Sequence, residues 1–156
     1  MFQIYPNLFI GDESDCFYDN MEDLALIHAC KSPCHQSILG YQGNLPQDPP
    51  HYLVYEKGNH LFLNMIDPPQ SLFKPILFIK SLDFIKAHIS RGKVLIHCNL
   101  GKSRSASIAL LYLAKYANAI SQTNFKEAAR DFLGLFPDYQ PGRGIASYLD
   151  SQWNEF

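Results

Sequence analysis

The sequence predicts an α/β fold, a single domain over residues 1–156 with a central, mostly parallel sheet flanked by helices, and three observations carry it. The chain is 156 residues long, close to the length of one ordinary domain. A β-branched run, Lys93-Val94-Leu95-Ile96-His97, passes through a short Gly-containing loop into a helical stretch. Before it, Ile76, Ile79, Leu82, Ile85 and Ile89 recur at steps of three and four, which places a helix between two strands, the alternation that builds parallel sheets.

In order along the chain, Ile4 to Ile10 with Pro6-Asn7 at its centre reads as strand, turn and strand. Asp15 to Glu22 offers caps and acids for a short helix. Leu24 to Cys30 is an apolar run that suits a buried strand, with helix as the alternative. Ser32 to Pro50 is rich in Pro, Gly, Gln, Ser and Asn and reads as a long ordered excursion, functional or locally packed. His60 to Ile66 reads as a strand stopped by Asp67-Pro68-Pro69, since consecutive prolines cannot continue a ladder. Pro75 to Ser90 reads as an amphipathic helix with Pro in its first turn, ended by Arg91-Gly92. After the strand Lys93 to His97 come a helix from Arg104 to Ala117, another capped by Ser121 or Thr123 and reaching Phe136, and a last one after Pro141-Gly142 through Trp153. Tyr112, Tyr116, Phe132 and Phe136, at helical spacing, suit the core.

Composition excludes several classes. Hydrophobic residues make up 47%, charged residues 18%, and the net charge is −2; this describes a soluble globule that buries its own core, not a disordered tail or the basic footprint of a nucleic-acid binder. The longest uncharged, mostly apolar run, Ser105 to Ala114, is well short of the roughly 18 residues of a membrane span. Met1 to Pro6 has no basic or apolar secretory character. Four cysteines in such a chain read as thiols of a reducing, cytoplasmic compartment, with delivery to another cell by a non-classical route left open, as is the oligomeric state, a monomer included.

Strand, Gly-containing loop and helix N-terminus converge on a site for an anion. Cys98 begins that loop and Arg104 ends it. Amide dipoles and a guanidinium beside a sulfur favour the thiolate, which is the nucleophilic form. Arg grips two phosphate oxygens at once and follows the charge as a phosphoryl group moves. The site suits phosphate esters.

His97-Cys98-Asn99-Leu100-Gly101-Lys102-Ser103-Arg104-Ser105 matches H-C-x-x-G-x-x-R-[ST] and resembles the signature of the cysteine-dependent protein tyrosine phosphatases; the short chain is similar to their dual-specificity branch. Ile4 to Gly11 is similar to the first two strands of that branch, while His28-Ala29-Cys30-Lys31 and Leu39-Gly40-Tyr41 are similar to short bacterial and viral members. The resemblance spans nearly the whole chain and thins between Ser32 and Lys57. It implies Cys98 as nucleophile, Arg104 as phosphate clamp and Ser105 as the hydroxyl that steadies the leaving thiolate. It further implies a phosphate cradle from Asn99, Leu100, Gly101, Lys102, Ser103 and Arg104, and a phosphorylated protein as substrate. His97, at the end of a buried strand, reads as loop support that hydrogen-bonds backbone. The family often places Pro-Asn before its last helix, where the Asn braces the catalytic loop; here Gly142 follows Pro141, which leaves that brace in question.

The general acid follows from topology. Asp67 and Cys98 each end a strand, with a helix between them, so a parallel crossover brings both to the C-terminal sheet edge where α/β proteins bind ligands. The family places its acid on a loop roughly thirty residues before the cysteine, and Asp67 lies 31 before Cys98. Asp83, between Lys80 and Lys86 on a helix, reads as an ion-pair partner; Asp48 in the long excursion is a competitor. Cys98 then takes the phosphoryl group while protonated Asp67 protects the leaving oxygen, and the Asp67 carboxylate next activates water. The chemistry calls for no metal or other cofactor, and mildly acidic pH favours it.

Other readings stay open. Lys102 in the loop resembles phosphoinositide phosphatases at one position, but Asn99 stands where a second lysine would be, and a charge of −2 gives little pull toward anionic membranes. A phospho-reader binds without turnover; a sulfurtransferase also uses a loop thiolate but lacks the acid and the preceding His. His28, Cys30, Cys34 and His35 match no standard zinc spacing and read as core groups. Cys30 or Cys34 could form a disulfide with Cys98 under oxidation. The depth of the pocket, which separates phosphotyrosine from phosphoserine and phosphothreonine, depends on Ser32 to Pro50.

Overall fold

The computed structural model describes residues 1–17 and 19–156. Six strands, β1 (Phe2–Tyr5), β2 (Leu8–Gly11), β3 (Leu24–His28), β4 (Val54–Lys57), β5 (His60–Leu63) and β6 (Lys93–His97), form one sheet in the order β1-β2-β6-β3-β5-β4. The inner pairings, β2 with β6, β6 with β3 and β3 with β5, are parallel, and an antiparallel hairpin partner closes each edge. The inner strands are runs of Leu, Ile, Val and Phe buried almost throughout, as parallel strands covered on both faces require.

The helices are α1 (Gln36–Leu39), α2 (Pro75–His88), α3 (Arg104–Lys115), α4 (Phe125–Leu135) and α5 (Arg143–Gln152). Because side chains alternate along a strand, the sheet presents two different faces. Ala25, Ile27, Leu61, Leu63, Val94 and Ile96 pack into one large core with α2 to α5. The opposite face carries His28, His60, Phe62 and His97 and is covered by Cys16, the turn Lys31–His35 and α1. Within α3 every residue from Arg104 to Ala114 is buried, which suits a helix enclosed on all sides. Among the described residues, no helix is long and apolar enough to cross a membrane.

The parallel register fixes what stands at the C-terminal edge: Gly11, His97, His28 and Phe62 pair directly across the four inner strands. β5 and β6 run the same way on either side of β3, so the segment holding Asp67 and the loop beginning at Cys98 leave from one edge.

Several boundaries differ from the sequence-based expectation. In place of a helix over Asp15 to Glu22 there is one 3-10 turn, Glu13–Asp15, closed by a reciprocal cap in which Asp12 accepts from the Ser14 N–H at 2.8 Å and Asp15 reaches back to the Asp12 N–H; Cys16 then turns extended. Tyr18, within that stretch, lies outside the described residues. β4 was not foreseen, and β5 stops at Leu63, not Ile66. Beyond Leu63 the backbone serves other partners: the Met65 carbonyl accepts from the Lys31 N–H and from Arg104, each at 2.9 Å. The buried residues of α2 are Leu77, Phe78, Ser81, Leu82, Phe84 and Ile85, while Ile76 and Ile79 are exposed. Both stripes satisfy helical period; Phe78, stacked on Tyr148, and a Ser81 hydroxyl satisfied by the Leu77 carbonyl decide the choice. The cap of α4 is Asn124, which accepts from the Glu127 N–H at 2.9 Å, not Ser121 or Thr123. Tyr116 is exposed, with the Lys86 ammonium over its ring at 4.5 Å.

Candidate active site

The loop over 98–103 joins β6 to α3 and is held from two sides. On one side the Cys98 N–H donates to the Gly11 carbonyl at 3.4 Å and the Glu13 N–H donates to the Asn99 carbonyl at 3.3 Å. Gly101 has φ +70°, and a Cβ there would lie 2.9 Å from the Gly11 carbonyl oxygen, so conformation and space both require glycine. On the other side the Gln140 N–H donates to the Lys102 carbonyl at 3.0 Å, and the Gly142 N–H donates to Ser103 Oγ at 2.9 Å. The brace left in question by the missing Asn is therefore made by main chain.

Cys98 is buried with its Sγ 3.2 Å from Ser105 Oγ. Arg104 is almost as buried; its Nη1 donates to the Met65 carbonyl at 2.9 Å and its Nη2 to Asn99 Oδ1 at 2.7 Å, while its Nε–H has no acceptor among the described residues. Asn99 itself is tied to Glu13 and to the Ser32 carbonyl. The backbone N–H groups of 99–103 likewise find no acceptor among the described residues. A cation that is pinned but not neutralised, amides without acceptors and the positive end of α3 make a site for an anion.

Above them opens a cleft of about 280 Å³ lined by Lys31, Ser32, Met65, Ile66, Asp67, Asn99 and Arg104. The topology thus brings Asp67, exposed on the segment after β5, to the same cleft as Arg104. Gly142 seats the Asp67 carboxylate, since a Cβ on that glycine would collide with it, and Gly144 likewise receives the Pro68 and Gln70 carbonyls. Burial pushes the Tyr139 hydroxyl well above its usual range, and the neighbouring Asp67 charge adds to this; Tyr139 bonds Ser107 Oγ at 3.0 Å. Asp48 does not line the cleft, and Asp83 pairs with Lys86 at 2.9 Å. Leu100 projects to solvent.

His97 differs from the expectation of a ring bonded to backbone: its Nε2 lies 2.7 Å from His28 Nδ1, and its Nδ1 has no partner among the described residues. The register explains this, because His97 and His28 are direct partners on β6 and β3 and side chains so paired share a face. His28 Nε2 continues to His60 Nδ1 at 2.9 Å, and His60 Nε2 to the Asp19 carbonyl at 3.2 Å. Burial pulls the imidazolium form of His28 down to about 4 and lowers His60 as well. Cys16 Sγ and Cys34 Sγ stand 3.8 Å from His28 Nδ1 and His97 Nε2 respectively. Of the residues weighed in the sequence as a cluster, His28 and Cys34 therefore meet each other, but with Cys16 and His97, while the His35 ring turns to Tyr41 and the His51 carbonyl. The histidines that end β3 and β6 and the one that opens β5 were the signal available in the sequence.

No family model matches the chain. Human dual specificity protein phosphatase 16 is 33% identical over 114 residues, which is 72% of this chain and 15% of that protein; the chain thus spans a small part of the curated relative it matches. Human tyrosine phosphatase-like serine/threonine/tyrosine-interacting protein has a TM-score of 0.66 at 21% identity, covering 98% of this chain and 95% of that one. Human DUSP28 has a TM-score of 0.64 at 19% identity over 99% and 96%. The chain belongs to the cysteine-based protein tyrosine phosphatase superfamily and has the fold of its dual-specificity phosphatases.

Proposed function

We propose that this chain hydrolyses phosphate monoesters on protein side chains, phosphotyrosine first and phosphoserine or phosphothreonine where the cleft admits them, through a cysteinyl-phosphate intermediate. The observation that carries this is Arg104: buried, anchored through two of its nitrogens and left with an unengaged Nε–H beside a loop that starts with a buried thiol. Burying a guanidinium without a carboxylate partner is costly unless an anion completes the site.

In the proposed reaction three non-bridging phosphate oxygens take the loop N–H groups and Arg104, which puts phosphorus in line with Cys98 Sγ. The sulfur forms the S–P bond as the P–O bond to the substrate breaks, and Asp67 delivers a proton to the departing oxygen. Asp67, now a carboxylate, takes a proton from water as that water attacks phosphorus; the S–P bond breaks and the Ser105 hydroxyl donates to the leaving sulfur.

A second reading is favoured by the likeness to the phosphatase-like interacting protein: a module that holds phosphopeptides without turnover. Hydrolysis of an aryl phosphate at pH 5 to 7 without added metal separates them. The first reading expects turnover that Cys98→Ser abolishes and that Asp67→Ala lowers by roughly 10²–10⁴-fold. A wild-type protein that binds phosphotyrosine peptide without releasing phosphate would establish the second.

A further inference from the structure

Behind the catalytic loop, on the sheet face away from α2 to α5, four metal-ligating side chains converge. Cys16 follows the Glu13–Asp15 turn, His28 ends β3, Cys34 lies in the turn after it and His97 ends β6. Their sulfur and nitrogen atoms all lie within 4.8 Å of one another. We propose that Cys16, His28, Cys34 and His97 form a closed, four-coordinate site for a zinc-type divalent ion that ties these segments together one residue before Cys98. This goes beyond the proposed hydrolysis, which needs no metal.

The distances suit such an ion. With Zn–N near 2.0–2.1 Å and Zn–S near 2.3 Å, a tetrahedral site sets N to N about 3.3 Å, N to S about 3.6 Å and S to S about 3.8 Å apart. Here each sulfur stands 3.8 Å from a ring nitrogen and the two nitrogens are 2.7 Å apart. To meet that geometry the imidazoles part by about 0.6 Å and the widest pair, at 4.8 Å, closes by about 1 Å.

Tautomer logic points the correct lone pair inward. A carbonyl oxygen only accepts, so the contact with Asp19 places the His60 proton on Nε2 and leaves its Nδ1 bare. That bare nitrogen accepts from His28 Nε2–H at 2.9 Å, and His28 Nδ1 turns its lone pair toward His97 Nε2, at 2.7 Å, and the two sulfurs; for His97 to ligate, the proton it shares with His28 moves from its Nε2 to its Nδ1. A carbonyl orienting a histidine that presents its other nitrogen to a metal is the outer-shell arrangement metal sites use, here with one more imidazole in the relay.

Donor chemistry selects the ion. Two thiolates and two imidazoles in a closed tetrahedron suit Zn²⁺ and leave no position for water, which marks a structural ion, not a catalytic one. His28, Cys34 and His97 are fully buried, and Cys16 is half-buried on the side by which an ion would enter. Binding releases two thiol protons to solvent, with nothing oxidised or reduced. The four ligands come from four segments, which is why no contiguous zinc spacing exists in the sequence.

Metal content of untagged, reduced protein tests the site, with no dependence on phosphatase activity. Wild type is expected to hold one zinc per chain, and chelator-stripped protein to take one Co²⁺ with the visible bands of tetrahedral thiolate ligation. Cys16→Ser, at the half-buried ligand, is expected to lose more than about 100-fold in affinity, and His60→Phe, which breaks the relay, about 10–100-fold. Cys30→Ala, a neighbouring thiol outside the set, is expected to keep the metal. Should Cys34→Ser fail to fold, folded Cys16→Ser and His60→Phe carry the test. Folded, reduced wild type that holds no stoichiometric zinc and gives no thiolate–Co²⁺ spectrum would overturn the proposal, as would unchanged affinity in folded Cys16→Ser.

Discussion

Gly142 occupies the space beside Asp67 so closely that a side chain at position 142 would overlap the Asp67 carboxylate. The same glycine gives its N–H to Ser103 Oγ at 2.9 Å, so one residue spaces the proposed acid from the proposed phosphate loop. Gly142→Ala must displace the Asp67 carboxylate, by rotation of its side chain or by outward movement of its segment. The expected result is a fall of about 10-fold or more in kcat for substrates with poor leaving groups, where the acid matters most, and little change for an aryl phosphate whose phenoxide leaves unaided. Equal losses on both substrates would show that the glycine serves the loop alone.

Ser105 Oγ stands 3.2 Å from Cys98 Sγ. A hydroxyl donating to a thiolate contributes about 1.5–3 kcal/mol, as hydrogen bonds to charged groups do, and in the proposed cycle it does so when the sulfur departs from phosphorus. Ser105→Ala is expected to slow that step by about 10–100-fold. Rapid mixing with an aryl phosphate should then show a burst of one phenol per active site. Slowed release of the first phenol without a burst would assign Ser105 to the attack step instead.

Asn99 is the side chain that positions Arg104: its Oδ1 accepts from Nη2 at 2.7 Å while its Nδ2 donates to Glu13 and to the Ser32 carbonyl. Asn99→Ala leaves Arg104 held by Met65 alone. KM for an aryl phosphate is expected to rise about 10-fold through lost orientation of the guanidinium. Vanadate, a phosphate mimic, should weaken in parallel, and unchanged vanadate affinity would remove Asn99 from the argument.

Gly101 combines φ +70° with a Cβ position 2.9 Å from the Gly11 carbonyl oxygen. A residue with a side chain costs about 1–2 kcal/mol in that backbone conformation before the contact is counted. Gly101→Ala is expected to lower Tm by about 2–8 °C and to reduce turnover together with it. A variant as stable as wild type would mean that the loop relaxes away from β2.

The strand, loop and helix around Cys98 were legible in the sequence because every residue of that unit is contiguous and its periods are clean: β-branched from Lys93 to His97, apolar from Arg104 onward. Topology then carried Asp67 to the same edge. The surroundings were less legible wherever the partner is distant in sequence. Which stripe of α2 turns inward depends on Tyr148, more than sixty residues away; where β5 ends depends on Arg104 and Lys31 claiming the Met65 carbonyl. His97 was readable as support for the loop but not as a neighbour of His28, since only the β3–β6 register makes them adjacent.

The contact between Gln140 and Lys102 has a different kind of consequence. It is made by an amide and a carbonyl, with the Gln140 side chain exposed to solvent, so nothing about this tie is written in a side chain. Position 140 is free to drift: saturation mutagenesis there should return a nearly flat tolerance profile, with proline, which lacks the N–H, as the outlier. Two chains with this architecture could brace the same loop identically while sharing no recognisable letter at that place, which is how a working part of such a fold escapes pattern matching.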